Sequence, residues 1–200
     1  MEKITKLEAV NRMLLGIKLA PVATIDDLST YHEGTIAQGI LEQITLETLS
    51  PGWNFNTHRI TLVADTDGII HLPAHTVDVF VPQGQTEYLV SNGRLKAILT
   101  NSTVFTPGFT VDCFVVLGFD WEDLPVVIQL LSMHKARLAF KLEMKSVAKG
   151  GQMDNQIILE DIRRAEGSAK GWDLRQKRRS ALDSLGLRQH INRNASRGYF

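Results

Sequence analysis

The stretch Ser50-Pro51-Gly52-Trp53-Asn54-Phe55-Asn56 marks the change from helical to β-type sequence in this chain. Pro51 and Gly52 end an amphipathic helix, because proline lacks a backbone donor and glycine readily adopts non-helical angles. Trp53 and Phe55 then alternate with asparagines, which is the period of a half-buried strand. We therefore predict a sharp helix-to-strand corner with both aromatic side chains on one face.

Two amphipathic helices precede this corner. In the first, apolar residues recur every three or four positions, and the helix ends before Pro21. The second begins at Thr30-Tyr31-His32-Glu33, which has the spacing of a capping box, and it continues to Ser50. We expect the two helices to pair antiparallel across a loop of residues 21–29. Their predicted buried residues are Ile4, Leu7, Val10, Leu14 and Ile17, then Ile36, Ile40 and Ile44, flanked by Ala37 and Leu41.

Strand-type patterns occupy residues 53–119. Asn92-Gly93 separates two short apolar runs and is a strong hairpin signal, and Asp65-Thr66-Asp67-Gly68 is a second turn sequence. No helical pattern of about ten residues separates the runs, which argues against a parallel doubly wound sheet. The pattern favours a small, mostly antiparallel sheet. The predicted strands are residues 60–63, 69–72, 77–81, 88–90, 94–98 and 109–117.

Helical patterns return after residue 119. Residues 120–125 combine acidic side chains with an early proline, which is typical of a helix N-terminus. A loop at Lys149-Gly150-Gly151-Gln152 ends this third helix, and Asp154 is a good N-cap for a fourth. The predicted faces are Val127, Leu131, His134, Leu138 and Leu142, then Ile158, Ile162, Ala165, Ala169 and Trp172.

This order predicts an α+β fold in which both ends of the chain form one four-helix bundle. The bundle comprises residues 1–52 and 120–185, and residues 53–119 form an inserted, mostly antiparallel β-rich lobe. Residues 186–200 contain few large apolar side chains and are predicted to be an extended C-terminal arm.

The composition indicates one compact globular domain: 200 residues, 44% hydrophobic and 22% charged. The N-terminal sequence lacks the apolar core of a signal peptide, and no apolar run has the length of a membrane span, so we expect a cytosolic origin. The single cysteine, Cys113, lies in an apolar run and is expected to be a buried strand residue.

The net charge of zero conceals a strong asymmetry. Residues 1–132 carry seven Lys and Arg against fifteen Asp and Glu, whereas residues 133–200 carry fifteen against seven. A basic C-terminal third is typical of contact with an anionic partner, but it also suits an internal interface with the acidic part of the chain. The sequence leaves both interpretations open.

Catalytic and metal-binding motifs are not evident. His71 and His75 are the one close histidine pair, but Pro73 between them is incompatible with a metal-binding helix. Asp65-Thr66-Asp67-Gly68 is better explained as a tight turn than as a calcium loop, and Gly150-Gly151 follows a helix rather than a strand. We therefore expect no catalytic residue, no metal and no cofactor.

The clearest polar signal is the run Arg175-Gln176-Lys177-Arg178-Arg179. Four cations in five residues favour polyanion contact, but a solvated helix C-terminus explains them almost as well. We take Arg175, Lys177, Arg178 and Arg179 as candidate partner-docking residues.

Several short motifs, in order, resemble the tail tubular protein A family of short-tailed bacteriophages. The resemblance covers residues 7 to about 175, and the basic run after Arg175 has no clear counterpart in it. Lys18 also departs from the family pattern, which often has glycine there. The motifs are Val10-Asn11, Leu14, Ile17, Pro21-Val22, Thr24, Gly52-Trp53-Asn54-Phe55-Asn56, Ile60-Thr61-Leu62, residues 120–125, Ala136 and Phe140.

This resemblance implies a non-enzymatic structural protein of the virion tail, present in the host cytoplasm before assembly. It implies a ring, dodecameric in the family, that joins the capsid portal to the tail nozzle and forms part of the DNA ejection channel. Its partners would be the portal, a nozzle protein of the tail tubular protein B type and possible tail fibres. Viral DNA would pass transiently without sequence-specific binding, and there would be no membrane partner. The basic run would then meet an acidic portal surface.

On the same resemblance, Pro51, Gly52, Trp53 and Phe55 form a structural joint that fixes the angle between the helical and β-rich parts.

Two alternative functions stay open from the residues alone. One is a nucleic-acid-binding module that uses the basic C-terminal third. The other is a polymer hydrolase that uses Glu122 and Asp123.

Overall fold

A computed structural model describes residues 2–81, 88–144 and 152–184, without the side chains of residue 29, 152–154 and 178–184. The described chain is a mixed α+β fold, as predicted. Its helices are α1 (Lys6–Gly16), α2 (Ile25–Thr30), α3 (His32–Leu49), α4 (Val126–Glu143) and α5 (Gln152–Ser184). Its strands are β1 (Thr57–Val63), β2 (Thr76–Phe80), β3 (Tyr88–Ser91), β4 (Arg94–Ala97) and β5 (Thr110–Leu117).

The helices share one apolar core because α4 packs against α1, α3 and α5. Met13, Leu41, Leu131 and Phe140 are fully or almost fully buried there. Gln129 is also fully buried, and its side chain joins two other segments to α4. Its Oε1 accepts from the backbone N–H of Ile4 at 3.2 Å, and its Nε2 donates to the carbonyl of Trp121 at 2.7 Å.

The predicted loop of residues 21–29 was wrong, because it contains most of α2. Thr24 and Asp27 form the capping box, with the Thr24 hydroxyl accepting from the backbone of Asp27 and the Asp27 carboxylate accepting from the backbone of Thr24. Thr30 lies at the end of α2 instead, and Tyr31 precedes α3 without a side-chain cap. The described helices therefore number five, one more than the bundle prediction allowed.

The predicted face of α4 was only partly correct. Leu131 is buried and Val127, His134 and Leu138 are half-buried, whereas Leu142 is 44% exposed. The core-facing residues are shifted because α4 contacts three helices at once. They are Ile128, Gln129, Leu131, Ser132, Met133, Ala136, Phe140 and Lys141.

Two helix starts also differ from the prediction. The acidic residues before α4 form a 3₁₀ turn at Trp121–Asp123, and Pro125 is the N-cap. Helix α5 begins at Gln152, so Asp154 lies inside the helix and is not its N-cap. The five residues predicted to face the core on α5 are buried or half-buried. Residues 149–151 and the predicted arm of residues 186–200 lie outside the described residues.

The β region is antiparallel, as predicted. Strand β5 lies between β1 and β2 in a three-stranded sheet, and β3 pairs with β4 in a separate hairpin. Asn92 and Gly93 form the two-residue turn of that hairpin, with φ of 49° and 71°. Cys113 lies in the second apolar core, between the sheet and the segments covering it, which confirms the prediction of a buried strand residue.

One predicted strand was wrong. Residues 69–72 form only isolated bridges, Ile69 with Val104 and His71 with Arg94. The preceding turn is formed as predicted, because the Asp65 carboxylate accepts from the backbone N–H groups of Asp67 and Ile69. The hydrogen bond from the backbone of Ile69 lowers the pKa of Asp65 most, and the hydrogen bond from Asp67 and the nearby His71 lower it further.

Candidate functional site

The corner after α3 requires a glycine. Gly52 has a φ of 78°, and its backbone N–H donates to the carbonyl of Leu49 at 3.0 Å. A Cβ atom at Gly52 would lie 2.8 Å from the Thr57 hydroxyl and 3.3 Å from a methyl group of Val116. The strand predicted at residues 53–56 was wrong, because these residues form a tight turn and β1 begins at Thr57.

Asn56 is the residue that holds this turn together, and it is fully buried. Its Oδ1 accepts from the backbone N–H of Trp53 at 2.6 Å. Its Nδ2 donates to the carbonyls of Leu49, at 3.2 Å, and Leu117, at 3.0 Å. The side chain therefore joins the end of α3 to the end of β5 and satisfies polar groups that would otherwise be buried without partners.

Trp53 and Phe55 contact different elements of the fold, and both are half-buried. The indole N–H of Trp53 donates to the carbonyl of Thr48 at 2.8 Å, which links the turn to the last part of α3. The ring of Phe55 lies 5.7 Å from that of Phe119 and 5.6 Å, edge-on, from that of Trp172. Such tilted and edge-on contacts are favourable for aromatic rings.

A polar clamp links the corner to α5. The backbone N–H of Asn54 donates to the carboxylate of Asp173 at 2.7 Å, and the Asn54 side chain donates to the same carboxylate at 2.6 Å. Because Asn54 belongs to the turn, α3, β5 and α5 all meet at this corner.

The basic run lies at the C-terminal end of α5. Arg175 and Lys177 are exposed, whereas the side chains of Arg178 and Arg179 lie outside the described residues. Arg175 lines a groove of about 530 Å³ between α4 and α5, together with His134. Burial lowers the pKa of His134, and Arg137 and Arg12 add to this effect against the opposing charge of Asp161.

A comparison with known protein families identifies the family of the chain. The model of the family described as tail tubular protein matches residues 7–180. The chain belongs to the tail tubular protein family. Among curated proteins, none matches the chain significantly. The resemblance recognised from the motifs is therefore confirmed, and this tail tubular protein is a structural protein of a phage virion tail.

The remaining polar residues of the tail tubular protein are dispersed. The Nε2 atom of His71 lies 3.2 Å from the carboxylate of Asp65, whereas His75 lies in a separate turn with a φ of 61°. Within residues 2–81, 88–144 and 152–184, no three metal-binding side chains are close enough to share an ion. Over the same residues, no helix combines the length and the apolar character needed to cross a bilayer. Glu122 and Asp123 are exposed in the 3₁₀ turn.

Sequence reasoning missed the polar residues that hold the elements together. Asn56 was assigned to the solvent side of a strand, and Gln129 was not singled out. A turn-forming asparagine directly before a strand was the available signal for Asn56, because its side chain readily replaces a backbone partner. The Asn54–Asp173 contact joins residues 119 positions apart, and nothing in the local sequence indicates it.

Proposed function

We propose that this tail tubular protein is the ring-forming adaptor that joins the capsid portal to the tail nozzle. The observation that carries the proposal is the family match over residues 7–180. On this proposal twelve subunits form the ring, the nozzle protein binds its far side, and tail fibres are possible further partners. The subunit is made in the host cytoplasm and becomes part of the virion tail.

The mechanism is geometric rather than catalytic. A closed ring uses heterologous contacts, in which two different faces of each subunit meet. The division of charge along the chain supports such contacts, because the acidic and basic parts attract each other between subunits. DNA passes through the lumen during ejection, and strong phosphate binding by the wall would impede it.

In this proposal the basic end of α5 docks on the portal. Arg175 and Lys177 are exposed on the helix, and Arg178 and Arg179 follow them in sequence. Four cations within five residues suit an acidic protein surface, and charge complementarity of this kind mainly increases the rate and specificity of association.

The corner is proposed as the joint of the subunit. Pro51, Gly52, Trp53 and Phe55 would fix the angle between a helical lobe, residues 1–52 and 120–185, and the β-rich lobe, residues 53–119. The contacts of Phe55 with Phe119 and Trp172 support this role, because they tie the turn to both lobes. A fixed angle lets the helical lobe and the β lobe contact different neighbours in one rigid ring.

The proposal is tested by mixing the purified chain with the portal protein of the same phage and imaging the product by electron microscopy. We expect rings seated on the portal vertex. Folded protein that never forms a ring on a folded portal would contradict the assignment.

A salt titration of duplex binding separates the adaptor from a nucleic-acid-binding module. A dedicated binder that makes several phosphate contacts loses affinity steeply as salt rises. We expect weak binding to the duplex, with an affinity that does not change when Arg175 and Lys177 are replaced by alanine. Tight binding with a steep salt slope, lost in that variant, would favour the nucleic-acid module instead.

A further inference from the structure

Two helical glycines are not explained by packing within the subunit. A Cβ atom at Gly39 on α3, or at Gly167 on α5, would have no other atom within 4 Å. Gly34 differs, because its Cβ would lie 3.0 Å from Leu28 and 3.2 Å from Tyr31. Glycine is unfavourable inside a helix, so Gly39 and Gly167 weaken their helices without relieving any crowding inside the subunit.

Each of these glycines lies seven residues before an exposed leucine. Leu46, after Gly39, is 50% exposed, and Leu174, after Gly167, is 58% exposed. Seven residues make about two helical turns, so glycine and leucine share one face of each helix. The outer faces of α3 and α5 therefore carry the same pattern of one gap and one protruding side chain.

We propose that α3 of one subunit packs antiparallel against α5 of the next, with Leu46 over Gly167 and Leu174 over Gly39. The equal spacing lets both leucines fill both gaps at once, and glycine permits close approach of two helices. Within a subunit, α4 packs against both α3 and α5. The contact joins two different faces, as a ring requires, and it rests on the proposed ring function.

Charge favours the same pairing. Residues 19–58, which include α2 and α3, contain five acidic residues and no lysine or arginine. On α5, Lys170 is exposed and forms no ion pair with the residues that the structure describes. In the antiparallel register Glu42 lies opposite Gly171, next to Lys170. Glu42 already binds Lys6 within its own subunit, and its side chain remains 53% exposed.

Disulfide trapping tests the register directly. The double variant Gly39→Cys with Leu174→Cys, assembled on the portal and oxidised, is expected to give a ladder of covalently linked subunits on a non-reducing gel. The native Cys113 is 1% exposed and does not compete. The matched control, Gly39→Cys with Leu15→Cys, places the second thiol on α1 at a leucine that is 56% exposed, and it should give no ladder.

The outcomes separate this inference from the function on which it rests. Rings that form on the portal without the ladder, or with an equal ladder in the control, overturn the pairing and leave the adaptor function intact. Failure to form any ring overturns both.

A second variant keeps folding and assembly apart. Gly167→Leu fills the gap that Leu46 of the neighbour would occupy, and its added Cβ atom would crowd nothing in its own subunit. We expect an unchanged or higher melting temperature and at least a tenfold loss of ring formation, measured by mass photometry. Ring formation equal to that of the unmodified chain would overturn the pairing.

Discussion

The helical and β regions of this tail tubular protein differ in the size of their buried apolar cores. Among the residues that the structure describes, the helical core contains eighteen buried apolar residues and the β core contains eight. Both regions also expose large apolar side chains, such as Leu46 at 50% and Leu174 at 58% on the helices, and Phe80 at 46% and Leu99 at 82% in the β region. The difference between the buried cores indicates that the helices supply most of the apolar stabilisation of the subunit.

The largest expected effect comes from replacing one buried leucine in each core. Leu131 on α4 and Leu95 on β4 are 1% and 0% exposed. Leu131→Ala is expected to cost about 4–5 kcal/mol, because three packed helices around α4 prevent collapse of the cavity, and Leu95→Ala about 2–3 kcal/mol. Urea unfolding measures both. Leu99→Ala, on an exposed side chain, is the control and should change stability by less than about 0.5 kcal/mol. Equal losses of unfolding free energy in the two variants would contradict a difference in stability between the two cores.

The corner between the regions gives a second test. Asn56→Ala leaves the carbonyls of Leu49 and Leu117 without this donor, so we expect a loss of about 2–3 kcal/mol. Asn54→Ala removes only the exposed clamp to Asp173 and should cost about 0.5–1 kcal/mol. Thermal unfolding followed by both far-ultraviolet circular dichroism and tryptophan fluorescence is the measurement. Equal losses would show that Asn56 does not couple the regions.

Local patterns predicted the elements better than the connections between them. The Asn92-Gly93 hairpin and the buried Cys113 were predicted because short-range chemistry determines them. The capping box was misplaced because Thr24 and Thr30 both have an acidic residue three positions later, and only the fold shows which threonine begins a helix. The turn at residues 53–56 depends on Asn56 reaching Leu117, a contact over 61 positions that no local period encodes.

One glycine from each region should respond with opposite sign to the same substitution. Gly167 and Gly93 both have open space around the missing Cβ, but Gly93 has a φ of 71° and Gly167 lies in a helix. Gly167→Ala is expected to stabilise the subunit by about 0.5–1 kcal/mol. Gly93→Ala should destabilise it by about 1–2 kcal/mol, because an L side chain is strained there. Chemical denaturation of both variants checks the sign, and a stabilising Gly93→Ala would show that the hairpin turn tolerates a side chain.

The smallest expected effect is a pH dependence that comes from the helical region alone. Burial between α4 and α5 lowers the pKa of His134 below its usual 6.5, so the unfolded chain binds a proton more readily than the folded one. Stability from this group is therefore complete above about pH 6.5 and falls as the pH drops towards the folded pKa. The carboxylate of Glu42 acts in a lower window. Its hydrogen bonds from Lys6 and Gln38 lower its pKa below 4.5, so its contribution is lost only in stronger acid.

His134→Gln should remove the slope of stability between about pH 6.5 and the folded pKa while leaving the loss in stronger acid unchanged. Melting temperatures measured at intervals from about pH 4 to 7.5 resolve the two windows. Asp161 favours the protonated imidazole, whereas Arg137 and Arg12 oppose it, so Asp161→Asn should lower the pKa of His134 further and widen the upper window. If His134→Gln keeps the full slope, the proton is taken up elsewhere, and the groove between α4 and α5 does not set the acid sensitivity of the helices.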